Sequence, residues 1–225
     1  MTENEYAYEI IDNETDARHC AQLIAEEFSA HNPMTYFDQI TPTCFFHETS
    51  WPLMKDMFPE YLSFLVRHRS TGEIIGALIA GDLYLQHEKR QLCDTSNRLH
   101  AIPLDNLLVE MDNLFISRDF RQELKLNMVL HIEICAIRMQ HSGKGLGHQM
   151  VKAVCDHARN KKGFQYVLVQ VTNDATRHIF LNKMSGKEVT IIDPTTWIWK
   201  KNNDELICPY KDYKGGLIPN ILIKL

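Results

Sequence analysis

The residues best suited to chemistry lie in one stretch of the chain. His131, Glu133, Cys135 and Ile137 alternate along an Ile-rich segment, and a glycine cluster, Gly143-Lys144-Gly145-Leu146-Gly147, follows closely. On a strand, side chains two apart share a face. The four are therefore expected to line one side: two titratable groups, then a small thiol and an apolar side chain beside the glycines. A carboxylate in a core strand is costly to bury and needs a cationic partner or a task in proton transfer. For His131 a hydrogen-bonded structural role and a catalytic role are both open.

The glycine cluster joins a strand to a helix. Residues 129–139 read as a strand, and Met150, Val151, Val154, Cys155 and Ala158 recur at helical spacing up to a stop at Gly163. A helix start leaves its first amides unpaired and carries the positive end of the helix dipole. Glycines let the backbone approach an anion closely, so strand, glycine turn and helix together read as a phosphate site. Two nucleotide motifs are excluded by spacing. A Walker loop needs G-x-x-x-x-G-K-[ST], which Gly143-Lys144-Gly145 does not fit. The fingerprint G-x-G-x-x-G would place a glycine at His148, whereas Gly147 comes one place early and past the middle of the chain.

Periodicity gives the elements around this stretch. A strand starts over 8–12, and Thr15 or Asp16 is the expected cap of a helix carrying Cys20, Leu23, Ile24 and Phe28. That helix ends by Asn32-Pro33, because the residue before proline avoids the helical region. Residues 34–60 read as irregular and aromatic; Tyr36, Phe37, Phe45, Phe46 and Trp51 are chiefly core, with a cation-binding wall as the second option. Segments 61–68 and 74–85 read as antiparallel strands joined through Arg69-Ser70-Thr71-Gly72-Glu73. Helix is expected over 104–126 and 176–184, and strand over 164–171, 189–200 and 217–224, with Trp197 and Trp199 alternating on one strand. No repeat or Gly/Ser linker divides the chain, so one α/β domain is expected over 1–225, its mixed sheet covered on both faces.

Composition narrows the class. The 225 residues carry 24 Lys plus Arg against 29 Asp plus Glu, a formal charge of −5. No basic face is announced, so nucleic acid is not an expected partner. The acidic start has no apolar run behind it, unlike a targeting peptide. The longest apolar run, 74–81, is far short of the ~20 residues that span a bilayer. Cys20, Cys44, Cys93, Cys135, Cys155 and Cys208 are scattered and the histidines show no metal-ligand grouping. A cytoplasmic protein with reduced thiols, no metal and no membrane contact is the expectation.

The segment Gln140-His141-Ser142-Gly143-Lys144-Gly145 resembles the Q/R-x-x-G-x-G/A signature of the GNAT superfamily of acyl-CoA-dependent N-acyltransferases. The order of elements is similar along nearly the whole chain. Within the superfamily the chain most resembles the arylalkylamine N-acetyltransferases, including the insect dopamine type, through its His131-Ile132-Glu133-Ile134-Cys135-Ala136-Ile137 strand and its 209–216 tail. The resemblance implies a mostly antiparallel sheet with a splayed central strand pair. It implies that coenzyme A lies with its diphosphate on Gln140, His141, Ser142, Gly143, Lys144, Gly145, Leu146 and Gly147, its pantetheine arm along Cys135, Ala136 and Ile137, and a further contact at Asn173. The implied reaction is direct transfer of an acetyl group from acetyl-CoA to the primary amine of a small molecule; from the residues themselves, Glu133 or His131 is the expected proton acceptor. Peptide N-acetylation and a non-catalytic coenzyme A sensor are the alternatives. The chain departs from the pattern at Asn32, where the insect branch has a glutamate. It departs again at Phe180 and Leu181, where the vertebrate type has a tyrosine, and at Met184-Ser185-Gly186.

Overall fold

A computed structural model describes residues 5–92, 103–200 and 205–225, so Cys93 lies outside the described residues. One seven-stranded sheet runs through them. It consists of β1 (Tyr6–Ile10), β2 (Phe64–His68), β3 (Ile74–Asp82), β4 (Val129–Ile137), β5 (Tyr166–Gln170), β6 (Lys187–Ile192) and β9 (Ile218–Lys224). The order is β1-β2-β3-β4-β5-β9-β6, and only the β4–β5 pair is parallel. β7 (Trp199–Lys200) and β8 (Leu206–Ile207) pair apart from the sheet.

Helices cover both faces. α7 (Leu146–His157) packs Met150, Val151 and Val154 onto Leu130, Ile132 and Val167 of one face. α1 (Glu14–His31) packs Cys20, Ala21 and Ile24 onto Leu65, Ala77 and Ile79 of the other. Each large aliphatic side chain buried this way contributes ~1.5–3 kcal/mol. Among the described residues no helix is long and apolar enough to cross a membrane.

Several boundaries correct the sequence reading. The cap of α1 is Asn13, which accepts the Asp16 N–H at 2.9 Å, so Thr15 and Asp16 sit inside the first turn. Residues 34–60 are largely helical: α2 (Pro33–Phe37), α3 (Pro42–Phe45), a wide π-helical turn and α4 (Trp51–Met57). Pro33 and Pro42 stand at helix starts, where a missing N–H costs nothing, and Pro52 comes just after the wide turn. The strand expected to reach residue 85 ends at Asp82, which accepts the N–H of Tyr84 as α5 (Leu83–Leu92) begins. The helix expected over 104–126 is α6 (Pro103–Leu114) with one wider turn after it. The strand expected over 189–200 is broken by Pro194, so Trp197 lies in a loop and does not alternate with Trp199.

Two irregularities of β4 shape the centre of the molecule. On the β3 side the ladder slips: Ile79 opposes Ile134 but Ala80 opposes Ile132, leaving Glu133 as the extra residue of a β-bulge. A one-residue slip exchanges the faces. Leu130 and Ile132 share the α7 face with Cys135 and Ile137, whereas Ile134 and Ala136 face α1. The single face expected for His131, Glu133, Cys135 and Ile137 is therefore not formed. On the other side, pairing with β5 stops at Ile132 opposite Val169. Beyond it, the expected splay leaves residues 133–137 unpaired along that edge.

The corner between α1 and α2 closes the open end. Asn32 accepts the N–H groups of Met34 at 3.0 Å and Thr35 at 3.1 Å, and donates to Thr172 Oγ1 at 2.8 Å, just past β5. Asn32→Ala removes a helix cap and this cross-tie, and is expected to cost ~1–3 kcal/mol. Urea unfolding measures it; an unchanged midpoint would show that the corner is held by packing alone.

Candidate active site

Where β4 parts from β5, three cavities adjoin. At the glycine-loop end, about 180 Å³ is lined by Cys135, Ala136, Ile137, Ser142, Asn173 and Thr176, among others. This cavity shares Asn32, Cys135 and Asn173 with a narrow one of about 90 Å³ behind the bulge. The narrow one shares Thr49, Asp105, Leu108, Glu133 and Gln170 with a third, of about 250 Å³, at the far end.

The glycine loop forms one mouth. A tight turn over Met139–His141 is closed by the His141 N–H on Arg138 O at 2.8 Å. Gly143 and Gly145 then adopt φ values of +75° and +78°, a conformation that side chains strain, and a Cβ on either would meet no atom within 4 Å. The surface above them is therefore open. Gly145 caps α7, whose first intrahelical bond is Gln149 N–H to Gly145 O at 3.1 Å. The amides of Leu146, Gly147 and His148 precede that bond and have no intrahelical acceptor. The loop is fastened to the sheet edge from behind. Lys144 Nζ donates to Tyr6 Oη at 3.0 Å, Tyr6 Oη meets His141 Nδ1 at 3.3 Å, and Tyr8 Oη donates to Gln149 Oε1 at 2.6 Å.

The predicted cofactor residues divide on this frame. Cys135, Ala136, Ile137, Ser142 and Asn173 line the loop-end cavity. Gln140, His141, Gly143, Lys144 and Gly145 form the exposed or half-exposed loop. The side chain of Leu146 is buried in the core, and a Cβ on Gly147 would stand 3.4 Å from Ile179, so these two offer backbone only. Asn173 caps α8 (Asp174–His178), accepting the Ala175 N–H at 2.8 Å.

His131 and Glu133 meet despite the bulge. Glu133 Oε1 lies 3.0 Å from His131 Nδ1, and Gln86 Oε1 of α5 lies 2.9 Å from the same nitrogen. On the other side, Gln170 Nε2 donates to Asp112 Oδ1 at 2.5 Å, which turns Gln170 Oε1 toward His131 Nε2 at 2.9 Å. Oxygen acceptors face both ring nitrogens, so both carry protons and the ring is an imidazolium. Burial alone would lower the pKa of His131, but Glu133 and Asp112 outweigh it and hold it at about 9. Burial would raise that of Glu133; the imidazolium outweighs this and keeps the carboxyl below its ordinary value. Arg90 donates to Asp112 at 2.7 Å and completes the cluster. The charges of Glu133, His131, Asp112 and Arg90 alternate in sign and cancel.

Much of the far cavity escaped the sequence reading. Its walls are faces of three helical segments, including Gln86, Lys89 and Arg90 of α5 and Asp105, Leu108, Val109 and Asp112 of α6. The α6 set falls at i, i+3, i+4 and i+7, one helical face. Two aspartates seven apart within an apolar pattern were the available signal. Of the aromatic set, only Phe45 reaches the cavities, beside Phe28 and Phe180 in the narrow one. Phe46 stacks on Trp51 under Arg18, and Tyr36 is exposed.

A sheet opened beside a glycine loop at a helix start defines a class of acyl-transfer fold, and comparison places the chain in it. The model of the Acetyltransferase (GNAT) family matches residues 21–185; the chain belongs to this family and is an N-acetyltransferase by class. Among similar solved structures, the C-terminal condensation domain of Ebony in complex with beta-alanyl-dopamine is 14% identical, with 98% of this chain and 99% of that one covered and a TM-score of 0.79. Mosquito arylalkylamine N-acetyltransferase like 5b is 13% identical, with coverages of 98% and 100% and a TM-score of 0.68. Drosophila melanogaster polyamine N-acetyltransferase is 13% identical, with coverages of 98% and 100% and a TM-score of 0.63. Likeness at these identities is likeness of fold. Among curated protein sequences no match is found.

The charge cluster has a consequence for stability. A histidine whose pKa rises on folding stabilises fully below its unfolded value, ~6.5, and loses that contribution as pH climbs through the folded value of about 9. Wild-type protein is expected to lose stability over this window, and His131→Gln to lack that slope. Chemical denaturation at a series of pH values measures it; parallel curves would show that His131 is neutral in the folded state.

Proposed function

We propose that the protein transfers the acetyl group of acetyl-CoA to the primary amine of a small molecule, arylalkylamine- or polyamine-like, by direct attack. The observation behind this reading is the passage of adjoining cavities, with a glycine loop at one end and a carboxylate-rich chamber at the other. The residues present suit coenzyme A. The edge of β4 over 133–137 has free backbone groups on the β5 side, and open space lies above the left-handed glycines. The backbone from His141 to Gly147, with Gln140 beside it, would hold the diphosphate, and Cys135, Ala136, Ile137 and Asn173 the pantetheine arm. Bound there, acetyl-CoA supplies an activated thioester carbonyl.

The chain's own groups then act on the amine. Glu48, Asp56, Asp105, Asp112 and Glu133 line the far cavity against Lys89 and Arg90. Both cations are already engaged, Lys89 by Asp56 and Arg90 by Asp112, at 2.7 Å each. The remaining acid excess draws in an ammonium group. Among the described residues no aromatic side chain lines this cavity, which favours a polyamine-like substrate over an arylalkylamine. Glu133, ionised beside His131, receives the ammonium at the bulge and takes its proton, directly or through water. His131 revises the expectation that it could serve as acceptor. As an imidazolium it has no free lone pair, and it acts by positioning Glu133. Unpaired N–H groups near Ile137 stabilise developing negative charge. The whole chain, 1–225, is read as the one domain that does this.

Thiol release from acetyl-CoA with a panel of amines tests the reading. Binding of acetyl-CoA without turnover on any amine would leave a coenzyme A sensor in its place. Gly145→Val puts a β-branched residue at a left-handed position and a side chain over the loop. It is expected to abolish acetyl-CoA binding in a calorimetric titration, and near-native affinity would remove the loop assignment.

Glu133→Gln keeps the shape and removes the basicity. It is expected to lower kcat/KM at neutral pH by ~10²–10⁴-fold, with a loss that shrinks at high pH as free amine accumulates. Full activity across the pH range would make Glu133 a structural partner of His131.

A further inference from the structure

Glu133 leaves a question that the reading above does not answer. A carboxylate held below its ordinary pKa by an imidazolium is a good anchor for an ammonium ion but a poor place to keep its proton. Attack by the amine needs that proton to stay away. A second carboxylate is therefore required within reach, in an environment unlike that of Glu133.

The cavity walls contain one. Asp105, in the first turn of α6, lines both the narrow cavity and the far one, and Glu133 lines the same two. We propose that Asp105 is the terminal proton acceptor of the reaction: the ammonium gives its proton to Glu133 or to a water on it, and Asp105 takes it from there. The inference rests on the reading of the far cavity as the amine site. The step balances as R–NH3⁺ plus Asp105 carboxylate giving R–NH2 plus Asp105 carboxylic acid. The amine nitrogen keeps the electron pair that forms the amide bond as the thioester C–S bond breaks, the leaving thiolate takes the second N–H proton to give the thiol, and the Asp105 acid returns its proton to solvent after the product leaves.

The surroundings of Asp105 suit this task. Burial raises its pKa first, and Glu133 from β4 and Asp38 from the end of α2 add like-charge repulsion, bringing it to about 7. Asp38 is itself raised by burial and accepts the Tyr210 hydroxyl at 3.0 Å. Of the other charged groups on the cavity wall, Glu48 and Asp56 come from the α4 side and Lys89 and Arg90 from α5. The two cations are bound to Asp56 and Asp112. Glu133 is thus held ionised by His131, while Asp105 changes charge at about 7.

The test uses acetyl-CoA with putrescine and with phenethylamine. Wild-type kcat/KM is expected to rise with pH along a limb centred at about 7. Asp105→Asn should lower the neutral-pH value ~10²-fold and erase the limb, while Asp105→Glu should keep one. Acetyl-CoA affinity by calorimetry should stay unchanged in both variants, which also verifies folding. A wild-type enzyme that acetylates either amine, with its limb intact in Asp105→Asn, would overturn this inference alone. A wild type inactive on both amines would overturn the amine reading and this inference together. A ¹³C carboxyl titration placing Asp105 near the ordinary aspartate value would also overturn it.

Discussion

The extra residue in β4 is the constraint on which the site depends. Without the slip at Glu133, β4 would keep one side-chain parity along its length. His131 and Cys135 would then share a face, and Glu133 would stand in regular alternation with them. The bulge breaks that alternation at the residue carrying the charge. It leaves Leu130 and Ile132 under α7, returns Cys135 and Ile137 to the same layer, and sets Glu133 at the discontinuity where two cavities adjoin. The end of β5 pairing at Ile132 falls one residue earlier. A strand that bends away from one neighbour needs slack against the other, and the added residue provides it.

Burying four charged groups beneath such an opening carries a desolvation penalty, offset here by strict alternation of sign and by amide side chains that fix the remaining valences. Gln170 is the informative member. Its nitrogen serves Asp112 and its oxygen serves His131, so one amide orientation satisfies both neighbours, and either neighbour in the wrong protonation state would break a bond. Gln86 plays the matching part on the Nδ1 side. The network ties α5 and α6 to β4 and β5, so the helices that wall the far cavity are registered against the sheet by hydrogen bonds as well as by packing.

How far the sequence disclosed this follows from where each signal lies. The glycine loop was legible because its requirements are local: a strand, residues tolerant of positive φ, and a helix start within a short span. The hairpin of β2 and β3 was legible from its turn for the same reason. The helical segments over 34–60 were missed because Pro33 was read only as the end of the preceding helix, while at the start of a new one it is favourable. The bulge was invisible because one residue of slip leaves an alternating pattern intact in the letters. Asp105 and Asp112 share a face of α6 by their spacing, but Gln86 and Gln170 are brought to them only by the topology, so no spacing rule could assemble the set. His131 and Glu133 were found as a pair, but the protonation of the ring could be read only once its four oxygen neighbours were known.

The two mouths of the passage store their specifications differently. At the loop end the decisive properties belong to the main chain: signs of φ, free amides and a vacant ladder edge. Such properties survive extensive drift in side chains, which is how structures 13–14% identical to this one keep its outline. At the far end the walls are side chains on single faces of helical segments, each anchored to the sheet by its opposite face. Variation there redraws the chamber while the sheet, the loop and the bulge stay as they are. An engineer wishing to re-aim the protein would therefore treat the wall positions outside the charged network, such as Pro52, Leu53, Leu108 and Val109, as replaceable text and leave that network and the backbone grammar of β4 untouched.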